Sequence, residues 1–533
     1  MRFTTLTLMA LVGGLLSFLT RTPSALAAAN PPLVVTQSGP VAGLTVGSVN
    51  EYLGIPYAAP PVGFRRWKPP KPFGRWPGIW PAFHPGNVCP QFDSLTGQDV
   101  GSENCLFLNV YTPASAASDR ALPVMVWIHG GGLTGGSGEL YDPTPLVVLG
   151  NVIVVTINYR LGLLGFFAQS AIDAEGHLNG NYGLMDQQAA LQWVHNNISA
   201  FGGDPNQVTI FGESAGGQSV YAQLASPLAA GLFQRAIAES GSYAGFTDYT
   251  DAIIPLAQAE TEGSQFVASG AAFADAVGCT NQRAACLRKV PAYTLVSLQP
   301  FPMYPFVDGS LLTTTLGAAF SSGQFNRVPV MAGTNHDEYR LFVALDYDYL
   351  GHPLTNDEYA SAVDALFGPV LGPIVLADYP LPANPPADAA SLALGASGTD
   401  GIFSCPARLA DQSLAQYVTT YAYEFSDENA PLEFGLVPAS FPLGAYHSAE
   451  VQYLMIYFGV PAPFTPDQLD LSDAMITYWT NFAKTGNPNS AGQPAWPAYS
   501  AAADEFQSFV PPTPATEADF ATEHLCTSVW DLL

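Results

Sequence analysis

Residues 210–217 read IFGESAGG, a serine with a glycine two positions to either side. With 50 glycines in 533 residues, about 0.3 chance occurrences of G-x-S-x-G are expected in a chain of this length and composition. The meaning of the motif therefore rests on its surroundings. Upstream, QVTIFG (207–212) is an apolar, β-branched run that reads as a buried strand, and downstream AGGQSVYAQLA (215–225) reads as a helix. Ser214 then sits on a sharp strand-to-helix turn that projects its hydroxyl out of the sheet. Side chains at positions 212 or 216 would crowd such a turn, which accounts for the two glycines. The helix that follows also points its positive end at any anion formed beside the serine.

The same alternation continues to both sides. LPVMVWIHG (122–130), NVIVVTINYR (151–160), FQRAIAES (233–240), VPVMAGT (328–334) and TTYAYEF (419–425) read as strands. GLMDQQAALQWVHNNI (183–198) places Leu184, Leu191, Val194 and Ile198 at helical spacing, and LSDAMITYWTNFAKTG (471–486) reads as a surface helix ended by Gly486. Strands alternating with helices predict an α/β fold with a large, mostly parallel sheet covered on both faces. No stretch reads as an interdomain linker, so residues 30–533 are expected to form one domain.

A second glycine cluster, HGGG (129–132), follows directly on a predicted buried strand. Acyl transfer builds negative charge on a carbonyl oxygen, and backbone N–H groups can approach that oxygen closely only where side chains are absent. A serine nucleophile further needs a base, and the base an orienting acid. In this fold class the chain order is serine, acid, histidine, so the base lies among His336, His352, His447 and His524. His129 and His195 fall to structural roles. His336 adjoins the acidic pair Asp337 and Glu338 after a strand, His352 lies in a Pro/Gly loop, and His524 lies near the C-terminus where surface histidines are common. His447 precedes a helix-like run, and pattern alone leaves the choice open.

The N-terminus, MRFTTLTLMALVGGLLSFLTRTPSALAAAN, has one early arginine, an apolar run from Leu6 to Leu19 and small residues ending at Ala27 or Ala29. This is the pattern of a cleaved secretory signal, with 1–29 removed and the protein secreted or periplasmic. No later segment reads as long and apolar enough to span a bilayer, so no stable membrane insertion is expected. The formal net charge of −27 disfavours nucleic acid and anionic lipid as partners and favours solubility. Six cysteines, Cys89, Cys105, Cys279, Cys286, Cys405 and Cys526, follow the export signal. In an oxidising compartment an even set points to disulfides rather than to a metal or a reactive thiol. Sequence order pairs 89 with 105, 279 with 286 and 405 with 526, one of 15 possible arrangements.

Longer stretches carry a resemblance. YLGIPYAAPPVG (52–63), SENCLFLNVYTP (102–113), HGGG, NYRLG (158–162), GNYGLMDQQAALQWVHNNISAFGGDPNQVTIFGESAGG (180–217), GTNHDE (333–338) and YHSAE (446–450) resemble the type B carboxylesterase family. This is the cholinesterase-like branch of the α/β-hydrolases, which includes bacterial para-nitrobenzyl esterase-like enzymes. The resemblance runs from about residue 31 to the end. It implies Ser214 as nucleophile, Glu338 as acid and His447 as base, with oxyanion donors at Gly131, Gly132 and Ala215 and a supporting carboxylate at Glu213. It also implies ion pairs Arg66–Glu103 and Arg160–Asp186, the sequential disulfide pairing, and insertions that form a gorge over the site.

Departures from the family pattern bear on substrate. The loop between Cys89 and Cys105, PQFDSLTGQDVGSEN, has no tryptophan to hold a quaternary ammonium by cation–π attraction. It is also too short and polar for the apolar lid of the family's lipases. Leu133 stands where an aromatic is frequent and Ser448 where glycine is usual. In QPFPMYPFVDG (299–309), which matches the region lining the acyl side of the gorge, Phe301 and Phe306 are open to substrate contact, with core packing the commoner role of a phenylalanine in an apolar run. The resulting expectation is a secreted serine carboxylesterase acting on a small-molecule ester and water, with no metal and no organic cofactor. Amide or peptide hydrolysis on the same triad is the nearest alternative, and a non-catalytic adhesion protein of the same fold is the other. The adhesion reading is disfavoured because all three triad positions are present. Oligomeric state is not legible. The sequon NIS (197–199) lies beside a helix end and reads as unused.

Overall fold

The computed structural model describes residues 31–94, 96–115, 121–247, 252–263, 269–433 and 435–532. The candidate export signal lies outside these residues. The apolar runs form an 11-stranded sheet. In chain order its strands are β1 (Leu44–Val46), β2 (Val49–Pro56), β3 (Phe107–Pro113), β4 (Leu122–Ile128), β5 (Ile153–Ile157), β6 (Gly203–Glu213), β7 (Arg235–Glu239), β8 (Val330–Asn335), β9 (Thr420–Phe425), β10 (Phe506–Phe509) and β11 (Ala515–Glu517). They lie side by side in the order 11-10-9-8-7-6-4-5-3-2-1. From β5 through β10 all pairings are parallel, while β3, β2, β1 and β11 extend the two edges antiparallel. This is the predicted α/β-hydrolase sheet.

Both faces of the central strands are buried, which is why they read as unbroken apolar runs rather than as alternations. In β4 the side chains of Val124, Val126 and Ile128 enter the core on one face, and Met125 and Trp127 enter the core on the other. Strand order reverses around β4, where β5 and β6 flank it. Clefts in such sheets open outside the carboxyl ends of the strands at this reversal, and the carboxyl ends of β4, β6 and β8 lead into HGGG, Ser214 and Glu338 respectively.

The helices matching the predicted ones are α1 (Tyr182–Asn197), α2 (Ala215–Ala225) and α4 (Pro466–Thr485), with α3 (Glu338–Asp346) opening at the candidate acid. α4 differs from its expected surface placement. It begins at Pro466, where Thr465 and Gln468 form a capping box, and ends at Gly486 in the left-handed conformation. One face, including Leu471, Met475, Trp479 and Phe482, is fully buried, and Trp479 Nε1 donates to Glu239 Oε1 at 2.8 Å. The surface reading missed this because the polar residues of α4 outnumber the apolar ones that face the sheet.

One segment overturns the expectation that nothing after the leader is apolar enough to span. Tyr359–Asp378 passes that test by length and composition. It is two helices joined across Gly368 (φ 76°, ψ 170°), with Pro369 and Pro373 beyond the break, so neither piece has the ~20 continuous residues a span requires.

The disulfides are Cys89–Cys105, Cys279–Cys286 and Cys405–Cys526, as sequence order indicated. In the chain-entropy picture the 16-residue loop is worth about 3 kcal/mol and the 121-residue one about 5 kcal/mol. Both ion pairs implied by the resemblance are formed, Arg66–Glu103 at 2.5 Å and the buried Arg160–Asp186 at 2.7 Å. Asn197 of the sequon is buried, its Nδ2 donating to Trp193 O and its Oδ1 accepting from Gln37 N.

Candidate active site

Ser214 occupies the turn between β6 and α2 with φ 56° and ψ −122°, a conformation that side chains larger than hydrogen rarely adopt. The turn is held by Ser214 N donating to Glu239 O (2.9 Å) and Gln218 N donating to Ser214 O (2.8 Å). A β-carbon at Gly212 would lie 2.4 Å from Ile128 O, and one at Gly216 only 1.9 Å from the same oxygen. The glycines are thus fixed by the close passage of the last β4 carbonyl. Ser214 keeps partial exposure while the residues beside it, Glu213 and Ala215, are buried.

The glycine loop 129–132 lies beside this turn. Gly131 and Gly132 have φ of 102° and 61°. Among the described residues, the N–H groups of Gly131, Gly132 and Ala215 donate to no protein acceptor. His129, buried and stacked on Tyr159, holds Gly130 O with Nδ1 at 2.8 Å, and burial pushes its imidazole down to about 4. Burial thus favours the neutral ring, and its contacts are to the glycine loop and Tyr159. The short disulfide loop braces the same turn: Gln91 Nε2 donates to Gly136 O (3.0 Å) and Gly136 N donates to Gln91 Oε1 (2.7 Å).

Glu338 is fully buried at the first position of α3, where the helix dipole favours an anion. Its Oε1 accepts from Thr334 Oγ1 and Asn335 N, both at 2.8 Å, and its Oε2 pairs with His447 Nδ1 at 2.5 Å. The imidazole packs against Phe342 and Phe403. Its other nitrogen, Nε2, lies 3.1 Å from Glu213 Oε1 without hydrogen-bond alignment. The structure thus joins Glu338 to His447 and brings Glu213 to the ring, while Ser214 Oγ makes no hydrogen bond to His447. Such contacts are commonly long before substrate binds.

Around Glu213 the site is unusually rich in buried carboxyls. Burial, then the neighbouring Glu450, Glu338, Glu433 and Glu239, pushes Glu213 well above the ordinary carboxylate range. Burial raises Glu239 to about 7 and Glu433 to about 8, and it also drives Glu450 upward. Asn335 Nδ2 ties this group to the histidine loop by donating to Glu450 Oε2 (2.5 Å) and Tyr446 O (2.8 Å). Ser448, where glycine was usual, adopts φ 72° and donates to His447 O.

Two sequence readings change here. Phe306 is core, clamped by Asn181, but Phe301 is 68% exposed and its ring covers Gly132, where a β-carbon would lie 2.6 Å from Phe301 Cε2. Met303 N fixes the segment by donating to Gly132 O (2.9 Å). His524 is not a surface residue: it is buried between Asp400 Oδ1 and Glu424 Oε1, each 2.6 Å from a ring nitrogen. Glu433, Glu450 and Asn335 were not singled out as site residues. Asn335 and Glu450 lie within the GTNHDE and YHSAE motifs, whose other residues drew the assignment, while Glu433 lies outside both and carried no sequence signal.

Strand order, the strained serine turn and the glycine loop beside it define an α/β-hydrolase. The pattern of the carboxylesterase family matches residues 30–525. The pyrethroid hydrolase Ces2e of Rattus norvegicus is 34% identical over 496 residues, covering 88% of this chain and 84% of that protein. The cocaine esterase of Homo sapiens is 34% identical over 498 residues, covering 88% and 86%. Among solved structures, a PNB esterase superposes with a TM-score of 0.75 at 34% identity, covering 93% of this chain and 99% of that one. The chain belongs to the carboxylesterase family and is a carboxylic ester hydrolase.

Proposed function

We propose that the protein is an exported serine carboxylesterase in which Ser214, His447 and Glu338 act as nucleophile, base and orienting acid. His447 Nε2 takes the Ser214 proton as Oγ attacks the ester carbonyl carbon. The carbonyl oxygen becomes an anion received by the N–H groups of Gly131, Gly132 and Ala215. Collapse expels the alcohol, which takes the proton from His447, and leaves an acyl-enzyme on Ser214. Water then gives its proton to His447 and attacks the acyl carbon; the bond to Ser214 Oγ breaks, Oγ takes the proton back from His447, and the acid is released. Glu338, held by three hydrogen bonds, fixes the ring so that Nε2 faces the reaction and offsets the imidazolium charge.

The observation that carries this reading is the convergence of a strained Ser214, a Glu338–His447 pair and three uncommitted N–H groups at the carboxyl edge of the central sheet. Phe301 over Gly132 narrows the space beside the oxyanion site on the acyl side. Relatives are named for pyrethroid, cocaine and acylcarnitine hydrolysis, which fits esters with bulky alcohol or acyl parts. The short polar 89–105 loop supports substrates in solution rather than at a lipid surface. Export, with loss of residues 1–29, accords with the three disulfides.

A p-nitrophenyl ester series from acetate to palmitate tests this directly. Wild-type turnover with a chain-length optimum, a loss of roughly 10⁴-fold or more in Ser214→Ala, and an organophosphate adduct on Ser214 are expected. Equal rates from both proteins, with no adduct, would overturn the assignment.

A further inference from the structure

Among the described residues one group of histidine and carboxylate donors converges outside the candidate active site. A ring nitrogen of His336, a ring nitrogen of His524 and an oxygen of Glu424 all lie within 4.8 Å of one another. The three come from distant segments: His336 follows β8, Glu424 lies in β9, and His524 follows a short C-terminal helix, α5 (Phe520–Glu523).

We propose that His336, Glu424 and His524 form a binding site for a divalent transition-metal ion of the zinc type, which staples the C-terminal segment to the sheet. Two imidazoles and one carboxylate make a donor set suited to zinc. Histidine ligands characteristically give their other ring nitrogen to a carboxylate, which fixes the tautomer and aims the free lone pair. Both rings have that arrangement. His524 Nδ1 is held by Asp400 Oδ1 at 2.6 Å, and Asp400 in turn accepts from Tyr379 at 2.6 Å. His336 Nε2 is held by Glu523 Oε1 at 3.1 Å. That leaves His524 Nε2 against Glu424 Oε1 and His336 Nδ1 buried with no hydrogen-bond partner.

The remaining charges suit a cation. His336 Nδ1 lies 3.2 Å from Asp337 Oδ1, although not aligned on it, and Asp337 is shared with Arg340 at 2.8 Å. Glu517, whose Oε1 is buried without a partner, adds negative charge that couples to Glu424 and Glu523. The ring of His336 and the half-exposed Glu523 border solvent and give an ion a route in.

The required rearrangement is small. Zinc donors at about 2.0–2.1 Å in a tetrahedron lie roughly 3.4 Å apart. His524 Nε2 and Glu424 Oε1 must open from 2.6 Å, and His336, the most accessible of the three, must swing inward. Binding releases the proton shared between His524 Nε2 and Glu424 to solvent.

The test uses the full exported chain, stripped with chelator and titrated with Zn²⁺ by calorimetry and with Co²⁺ by visible absorption. One ion per chain with a Kd of about 1 μM or tighter is expected, together with the intense bands of four-coordinate Co²⁺ and a rise in Tm. Ser214→Ala should bind unchanged, which separates this site from the catalytic reading. His336→Gln removes a ligand, so it should weaken binding by about 100-fold or more, beyond the roughly 10- to 100-fold typical of a lost outer-shell partner, and lose the Tm rise. His177→Gln, which alters a surface histidine beside Glu175, should do neither. No binding, or binding and a Tm rise that persist in His336→Gln, would overturn the proposal. His336→Gln leaves the Asp400–His524–Glu424 contacts in place, so the outcome does not depend on a variant that disrupts them.

Discussion

The ring of Phe301 stands where a side chain on Gly132 would have to go, with Cε2 2.6 Å from the position of a β-carbon. An exposed aromatic and the backbone of a candidate oxyanion donor therefore occupy adjoining space. Gly132 also holds φ 61°, where alanine is strained whatever the ring does, so Gly132→Ala displaces the N–H. The expected result is a fall in kcat of about 10²- to 10³-fold, the scale of one lost oxyanion donor, measured by steady-state kinetics on p-nitrophenyl butyrate. An unchanged kcat would remove Gly132 from the oxyanion assignment.

Phe301→Ala should act differently. Removing the ring leaves the Gly132 N–H in place and opens the acyl side, so the optimum of the ester series should move to longer acyl chains with activity retained. The ratio of kcat/KM for octanoate to that for acetate reads this out, and a ratio equal to wild type would show that Phe301 does not meet the substrate.

Glu338 and Glu213 both adjoin His447, yet their amide variants should diverge. Glu338→Gln puts an amide opposite Nδ1 and favours the wrong tautomer, so kcat should drop by about 10⁴-fold, as for an acid-to-amide change in such a triad. Burial and four carboxyl neighbours favour the neutral form of Glu213, and glutamine resembles that form closely, so Glu213→Gln should lose about tenfold or less. Equal losses in the two variants would contradict this division of roles.

Glu239 sets part of the response of stability to pH. Burial raises its folded value to about 7, above the unfolded value, so the folded state keeps a proton that the unfolded chain releases. Stability then falls as pH rises from about 4.5 through 7 and stays lower above that, by an amount on the order of 3 kcal/mol at most. Glu239→Gln removes this contribution while keeping an acceptor for Trp479. Denaturant unfolding should show the variant gaining on wild type at about pH 8 relative to about pH 5; the same difference at both pH values would be the contrary result.

Gly216→Ala tests the packing of the serine turn. Its β-carbon would meet Ile128 O at 1.9 Å, a clash with backbone that no side-chain rotation relieves. A loss of about 3 kcal/mol or more is expected, seen as a lowered Tm together with lost turnover. Gly74→Ala, with nothing within 4 Å of its new methyl, should leave Tm within the usual surface range and serves as the control.

The fold was legible because its deciding signals are local. A strand, a tight turn and a helix follow one another within 20 residues around Ser214, and buried parallel strands announce themselves as unbroken apolar runs. The pairing of Glu338 with His447 was anticipated only through the family resemblance, since pattern alone left several histidines open. What was illegible depends on burial of polar groups by distant segments. His524 reads as a terminal surface residue until Asp400 and Glu424 are seen on either side of it. Phe301 reads as core because an apolar run does not reveal which ring faces solvent, and α4 reads as surface although its apolar stripe lies on the sheet.

The loop between Cys89 and Cys105 is fastened twice, at its base by the disulfide and near it by the paired hydrogen bonds of Gln91 with Gly136. These fastenings hold Gln91 against Gly136, beside the candidate oxyanion loop, and the expectation is that this loop is complete before substrate arrives. Kinetically, progress curves should start at full velocity with no lag, and rate should rise smoothly with dissolved ester, without a jump where the ester begins to form droplets.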